Sequence, residues 1–197
     1  VGLPVPRGFA VTTSVQERFF AANDLPDEIK RIKMEIDPND LVSVTRGSEA
    51  IQSLILNASL PADAEQAILA AYDRLFGASP DKTAVALRSS AIGEDSEYTF
   101  AGQYLSFLNV PREKLLLTYK YILASMFTPR AIIYRLSKGL RDEDSSMAVA
   151  CLELVDSLAS GVMYSRHPFN VLDESIIINA VWGLGPYAVD GTVIPDA

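Results

Sequence analysis

The sequence predicts a mixed α+β fold, mainly helical over about residues 1–80 and mixed α/β over about residues 81–197. Three observations carry this expectation. Ala64, Ala67, Ile68, Ala71, Tyr72 and Leu75 recur at spacings of three and four, which lays one apolar stripe along a helix from about Pro61 to Phe76. Met147 to Val155 is a near-continuous apolar run of strand length, as expected for a strand covered on both faces. After Pro80 the helical texture gives way to short segments with strand character.

The elements follow in order. Past an irregular start with Gly2, Pro4, Pro6 and Gly8, Phe9 to Val11 reads as a short strand. Thr12, Thr13 and Ser14 offer N-caps for a helix through Phe19 and Phe20. Pro26 stands near the start of a helix with Ile29, Ile32 and Ile36, and Ser48 is placed to cap one with Ile51, Leu54 and Ile55. The helix from Pro61 stops at Gly77. Lys82 to Arg88 reads as a strand, and Tyr104 to Val110 as a weaker one. Glu113 to Phe127 reads as a helix with Leu116, Tyr119, Leu123 and Met126 on one face, and Thr128-Pro129 restarts a helix carrying Arg130 and Arg135. Met147–Val155, Gly161–Arg166 and Ser175–Trp182 complete the strands.

Composition narrows the function. The 197 residues are 49% hydrophobic, enough for one core divided into two lobes. Charged residues make up 21% and the net charge is -8, so a global basic footprint for nucleic acid is absent. No apolar run approaches a membrane span and no signal segment is visible, which makes a cytoplasmic protein the default. The lone Cys151 excludes an internal disulfide and a cysteine-based zinc cluster. A start at "VGLPVPRGFAV" and a stop at "DGTVIPDA" read as a piece of a longer protein.

Several side chains are candidates for chemistry, each with a plainer alternative. Arg88, delivered at a strand end with Ser89 and Ser90, has the donor fork that suits phosphate oxygens, or it pairs with Glu94 or Asp95. Thr99, Ala101, Gly102 and Gln103 lie in a small-residue turn whose backbone N–H groups can approach a phosphate, or it is an ordinary turn. No Gly-Lys-Ser/Thr follows it, so it is not a Walker loop. Arg130 and Arg135 either point at one anion or are solvated charges. Glu153 to Val155 is a strand edge able to read an adenine through main-chain groups while the Glu153 side chain contacts a sugar or amine, or Glu153 is a solvated strand-end carboxylate. His167, before Pro168, reads better as a turn histidine than as a phosphate carrier, and "WGLG" at 182–185 as a strand ending in a glycine turn.

Taken in order, these stretches resemble a known family. "GLPVPRGFAVTT", "VALRSSAIGEDSEYTFAGQYLSFLNV", "MFTPRAIIYR", "LASGVMYSRHP" and "INAVWGLGPYAVDGTVIPD" are similar to the ATP-binding domain of phosphoenolpyruvate synthase and pyruvate phosphate dikinase. The resemblance spans nearly the whole chain, most weakly over 20–80. It implies an ATP-grasp-like nucleotide-binding domain, here truncated. ATP would be cleaved and its phosphoryl group passed to a histidine on a separate phosphohistidine domain, then to pyruvate held by a further domain. By motif, Arg88 and Ser89 match phosphate contacts, Thr99 to Gln103 match a phosphate-covering loop, and Arg130 and Arg135 match the arginines of an "ARAISYR"-like helix. Glu153, just before Val155, stands where the family carries a glutamine, a departure from the pattern. The family's phosphate-binding lysine lies ahead of "GLPVP" and its Mg²⁺ ligands lie beyond "IPD". Mg²⁺ is thus expected to be held outside this stretch, and the stretch alone is expected to be inactive. A rifampicin-type antibiotic phosphotransferase and a non-catalytic nucleotide-sensing module share the same domain and are the alternatives.

Overall fold

The computed structural model describes residues 5–77, 84–91, 105–139, 146–167, 170 and 172–189. The chain divides into two units, Val1–Leu154 and Val155–Ala197.

The first unit contains β1 (Gly8–Val11), α1 (Thr13–Ala21), α2 (Leu25–Met34), α3 (Leu41–Asn57), α4 (Ala62–Phe76), β2 (Val85–Ala91), β3 (Ser106–Val110), α5 (Leu115–Ala124), α6 (Pro129–Lys138) and β4 (Met147–Glu153). Its strands form one sheet in the order β1-β4-β2-β3, every pair antiparallel. Most of these elements stand where the sequence places them, but four expectations need correction.

The first concerns β4. Met147, Val149 and Cys151 are buried, whereas Ala148, Ala150 and Leu152 between them are only half-buried. The strand is therefore covered on one face, and its apolar run looks continuous because the other face is paved with alanine. Antiparallel sheets tolerate such one-sided cover.

The second concerns β2. It does not end at Arg88 but runs to Ala91, because all seven of its residues pair with β4, from Val85 opposite Glu153 to Ala91 opposite Met147. Lys82 and Thr83, like Tyr104 before β3, lie outside the described residues.

The third concerns Ser48. It caps nothing: α3 begins seven residues earlier, where the Asp40 carboxylate accepts the Val42 N–H at 2.9 Å. Ser48 sits mid-helix, buried, and donates to the Phe127 carbonyl at 2.6 Å. Gly47 beside it has a packing reason to be there, since a Cβ would collide with the Ile36 side chain. Ile36 itself lies just beyond α2, not within it.

The fourth concerns the helix expected over Glu113–Phe127. Its ends are 3-10 turns, Arg112–Lys114 and Ser125–Phe127, and its buried stripe starts at Leu115 while Leu116 is half-buried.

The helices cover one face of the sheet. Phe9, Val11, Val85, Leu87, Met147, Val149 and Cys151 project into a core shared with Phe19, Ile51, Ile55, Tyr119, Ile122 and Leu123. Burial pushes the Cys151 thiol up to about 12, so it stays protonated and inert at neutral pH. Gln16 joins α1 to the start of β4 by accepting the Met147 N–H at 2.6 Å. Arg112 grips Asp73 of α4 with two bonds, at 2.6 and 2.7 Å.

The second unit pairs β5 (Ala159–Tyr164) with β6 (Ile177–Trp182), followed by α7 (Pro186–Val189). β6 stops at Gly183, whose φ of +84° and whose N–H bond to the Leu158 carbonyl make the glycine turn expected from "WGLG".

Two consequences are measurable. Ser48→Ala removes a buried donor from the Phe127 carbonyl, and should cost about 1–2 kcal/mol in urea denaturation, read as a lower midpoint at unchanged slope. An unchanged midpoint would strike that bond from the stabilising contacts. The Arg112 guanidinium holds the Asp73 carboxyl below the usual carboxylate range, chiefly through its hydrogen bonds. A carboxyl lowered by folding adds stability that is complete above its unfolded value and fades as pH falls through its native one. Asp73→Asn should therefore destabilise at neutral pH, with the gap to wild type closing in acid. Thermal melts showing a gap that widens in acid would contradict the assignment.

Candidate functional site

The face of the first sheet away from the helices is its most distinctive surface. Residue parity assigns its members: Gly8 and Ala10 from β1, Ala148, Ala150 and Leu152 from β4, Ala86, Arg88 and Ser90 from β2, and Ser106 from β3. One row crosses all four strands. Ala10 pairs with Ala150, Ala150 with Arg88, and Arg88 with Ser106. The flank of this row is built of small side chains, so a ligand can approach the backbone closely. Among the described strand residues, Arg88 is the single charged side chain on that face. It is exposed, and it makes no hydrogen bond or ion pair to any described residue.

This geometry sorts the "RSS" run. Ser89 shares the helix side with Val85 and Leu87 and pairs with Val149, whereas Ser90 shares the open face with Arg88. Ser90 and Ser106 are thus the hydroxyls beside the guanidinium, and both are exposed. Strict period-two alternation along β2 was the signal for Ser90. Ser106 is visible only once the β2–β3 register is known, and that register carries an irregularity between Val85 and Leu87, with Asn109 of β3 at a φ of +56°.

The two arginines of α6 have different surroundings. Thr128 accepts the Ala131 N–H at 3.3 Å and starts the helix, as expected for Thr-Pro. Arg130 is exposed in the first turn. Arg135 is buried, 1% exposed, with its guanidinium 5.3 Å from the centre of the Phe127 ring. Among the described residues no hydrogen bond, ion pair or ring contact joins Arg88 to either of them. Thr99, Ala101, Gly102 and Gln103 lie outside the described residues. Leu105, the first described residue after them, donates its N–H to the Ser125 hydroxyl at 3.3 Å.

At the end of β4 the Glu153 carboxylate is already engaged. Arg7 donates to it twice, from Nε at 2.9 Å and from an NH₂ group at 2.7 Å. Those bonds hold the carboxyl below its usual range. The Glu153 N–H goes to the Arg7 carbonyl and the Leu154 N–H to the Ala84 carbonyl. The next amide, Val155, has no backbone partner among the described residues, and Val155 is 55% exposed.

His167 behaves as a turn residue: its Nδ1 accepts the Asn170 N–H at 3.0 Å. Among the described residues no group of three or more His, Cys, Asp or Glu side chains is placed to hold a metal ion, and no helix is long and apolar enough to cross a membrane.

Comparison with known proteins agrees with the motifs. Residues 1–197 match the family described as pyruvate phosphate dikinase, AMP/ATP-binding domain. The chain is 38% identical, over 99% of its length, to a probable phosphoenolpyruvate synthase of Staphylothermus marinus. It is 37% identical over 99% of its length to one of Methanocaldococcus jannaschii, and 32% identical over its full length to the phosphoenolpyruvate synthase of Escherichia coli. It spans 24%, 17% and 25% of these three relatives, respectively. The chain belongs to the pyruvate phosphate dikinase AMP/ATP-binding domain family.

Proposed function

We propose that the open face of the first sheet receives ATP, with Arg88 on the phosphates, as the nucleotide-binding part of a phosphoenolpyruvate synthase-like phosphotransferase. The observation that carries this reading is the row Ala10–Ala150–Arg88–Ser106, a guanidinium that pairs with no described residue, on a shelf of small side chains. A planar fork of donors matches phosphate oxygens in both charge and geometry. The flanking alanines and Gly8 leave room for it to swing and for the ligand to sit close. Ser90 and Ser106 supply neutral donors beside it.

The main chain leaving β4 suits the other end of the nucleotide. The strand end from Glu153 to Val155 has main-chain N–H and C=O groups able to meet an adenine edge, and the Val155 N–H has no backbone partner among the described residues. Arg130, exposed at the first turn of α6, is a second phosphate contact in this reading. Arg135 supports α6 from within through Phe127, and Ser89 supports β2 from the helix side. Thr99, Ala101, Gly102 and Gln103 complete the phosphate contacts as the covering loop the motif implies.

Phosphoryl transfer asks little covalent chemistry of such a domain. It asks for position and for charge to be neutralised where it develops. Arg88 and Arg130 would orient the phosphates and offset their charge. Mg²⁺, when bound, would supply the remaining positive charge, from ligands that the family resemblance puts beyond this stretch. The acceptor in this reading is a histidine on another domain, and pyruvate after it. An antibiotic acceptor would use the same nucleotide site.

Arg88→Ala in the native protein should weaken ATP binding about 10- to 100-fold by calorimetry, the loss of one charge-assisted contact. Arg88→Lys should recover part of it, since it keeps the charge but not the fork. A folded Arg88→Ala variant with unchanged ATP affinity would take Arg88 out of the site.

A further inference from the structure

We infer that Asn109 is a positioning residue for Arg88: its left-handed backbone conformation sets the β2–β3 register that brings Ser106, and not Phe107, opposite the guanidinium. The inference rests on the ATP reading above and adds a residue that the reading does not use.

The pattern begins in the sequence of β3. Phe107 packs against the helical core and Val110 is buried within it, so two core-facing residues stand three apart. A regular strand cannot point both the same way, because its side chains alternate. An extra residue resolves the conflict. Val110 pairs with Val85 and Phe107 with Leu87, so Leu108 and Asn109 together oppose Ala86. This is a β-bulge, and Asn109 supplies its left-handed residue at a φ of +56°. Asparagine enters that region more readily than most residues with a side chain, whereas β-branched residues resist it.

Parity shows what the bulge prevents. Continued without it from the Val85–Val110 pair, the ladder would set Leu108 opposite Leu87 and Phe107 opposite Arg88. Apolar burial does little to forbid this, since Leu108 would replace Phe107 toward the core, one large apolar side chain for another. The open face would change far more. Directly opposed residues stand about 4.5–5.5 Å apart at Cβ, so a phenyl ring would lie against the guanidinium and cover it. In the bulged register the small Ser106 stands there instead. Phe107 rests on the helix side, with its ring centre 6.2 Å from that of Tyr121. The bulge thereby leaves Arg88 uncovered on the face where ATP is placed.

Register can survive the loss of the residue that sets it, and the test uses this. Deleting Asn109 leaves Leu108 alone opposite Ala86 and keeps Phe107 on Leu87 and Ser106 on Arg88. Asn109→Val keeps the chain length and penalises the bulge. ATP is titrated calorimetrically into the native protein carrying each change, with thermal melts confirming that it is folded. Affinity should fall at least about tenfold in Asn109→Val, and stay within about threefold of wild type in Asn109→Gly and in the deletion. Adding Phe107→Ala to Asn109→Val should restore most of the lost affinity, because the ring over Arg88 is gone. A residue that only stabilised the fold would show no such rescue. Wild-type affinity in a folded Asn109→Val variant, loss of binding in a folded deletion, or no rescue by Phe107→Ala would each overturn the inference. If Asn109→Val does not fold, the deletion decides, retained affinity supporting the inference and lost affinity overturning it. Wild-type protein that binds no ATP, or whose affinity is indifferent to Arg88→Ala, would overturn the ATP reading itself, and this inference with it.

Discussion

The first unit depends on the alternation within β4. Its odd-numbered side chains, Met147, Val149 and Cys151, are buried to within 1% of complete exclusion from solvent and anchor the helical layer. Its even-numbered ones, Ala148, Ala150 and Leu152, face the other way. Because β4 lies between β1 and β2, both neighbours inherit this division through their register. A one-residue slip would turn every side chain over, bringing Arg88 into the apolar core and Leu87 out of it. The cost of burying an unpaired guanidinium there makes the register effectively unique. The same constraint that folds the unit therefore aims Arg88 outward.

Around that division the polar groups take separate tasks. Gln16, Ser48 and Ser125 satisfy backbone groups inside the helical layer, at Met147, Phe127 and Ile122. Arg112 and Arg7 spend their guanidiniums on Asp73 and Glu153 and tie α4 to its surroundings. Arg135 is buried against Phe127. Arg88 and Arg130 remain exposed. In a chain of net charge -8, the ATP reading relies on such exposed cations for local positive charge that bulk charge would not suggest.

Much of this was legible in the sequence, for identifiable reasons. The α4 stripe, the Thr128-Pro129 helix start and the glycine stop at Gly77 are local signals, and each sits where its chemistry demands. The errors came where tertiary context outweighs local preference. Ser48 reads as a cap because serine favours caps, yet its hydroxyl satisfies a carbonyl 79 residues away. Arg88 reads as a strand end because arginine and serines interrupt an apolar run, yet pairing with β4 carries the strand three residues further. Parity along β2 adds Ser90, on the face with Arg88, to the Ser89 that the family resemblance names. Glu153 was recognisable as a notable carboxylate, but its partner Arg7 is 146 residues distant and no local pattern connects them.

The central claim is that ATP lies on the open sheet face over the row containing Ala150 and Arg88. The most direct measurement fills that shelf while leaving the charges alone. Ala150→Phe puts a ring beside Arg88 on the half-covered side of β4, away from the core. Calorimetric titration with ATP, alongside a thermal melt, should show binding lost in a protein that still unfolds cooperatively near the wild-type temperature. ATP binding with wild-type affinity to the folded Ala150→Phe variant would contradict the account and move the nucleotide to another surface.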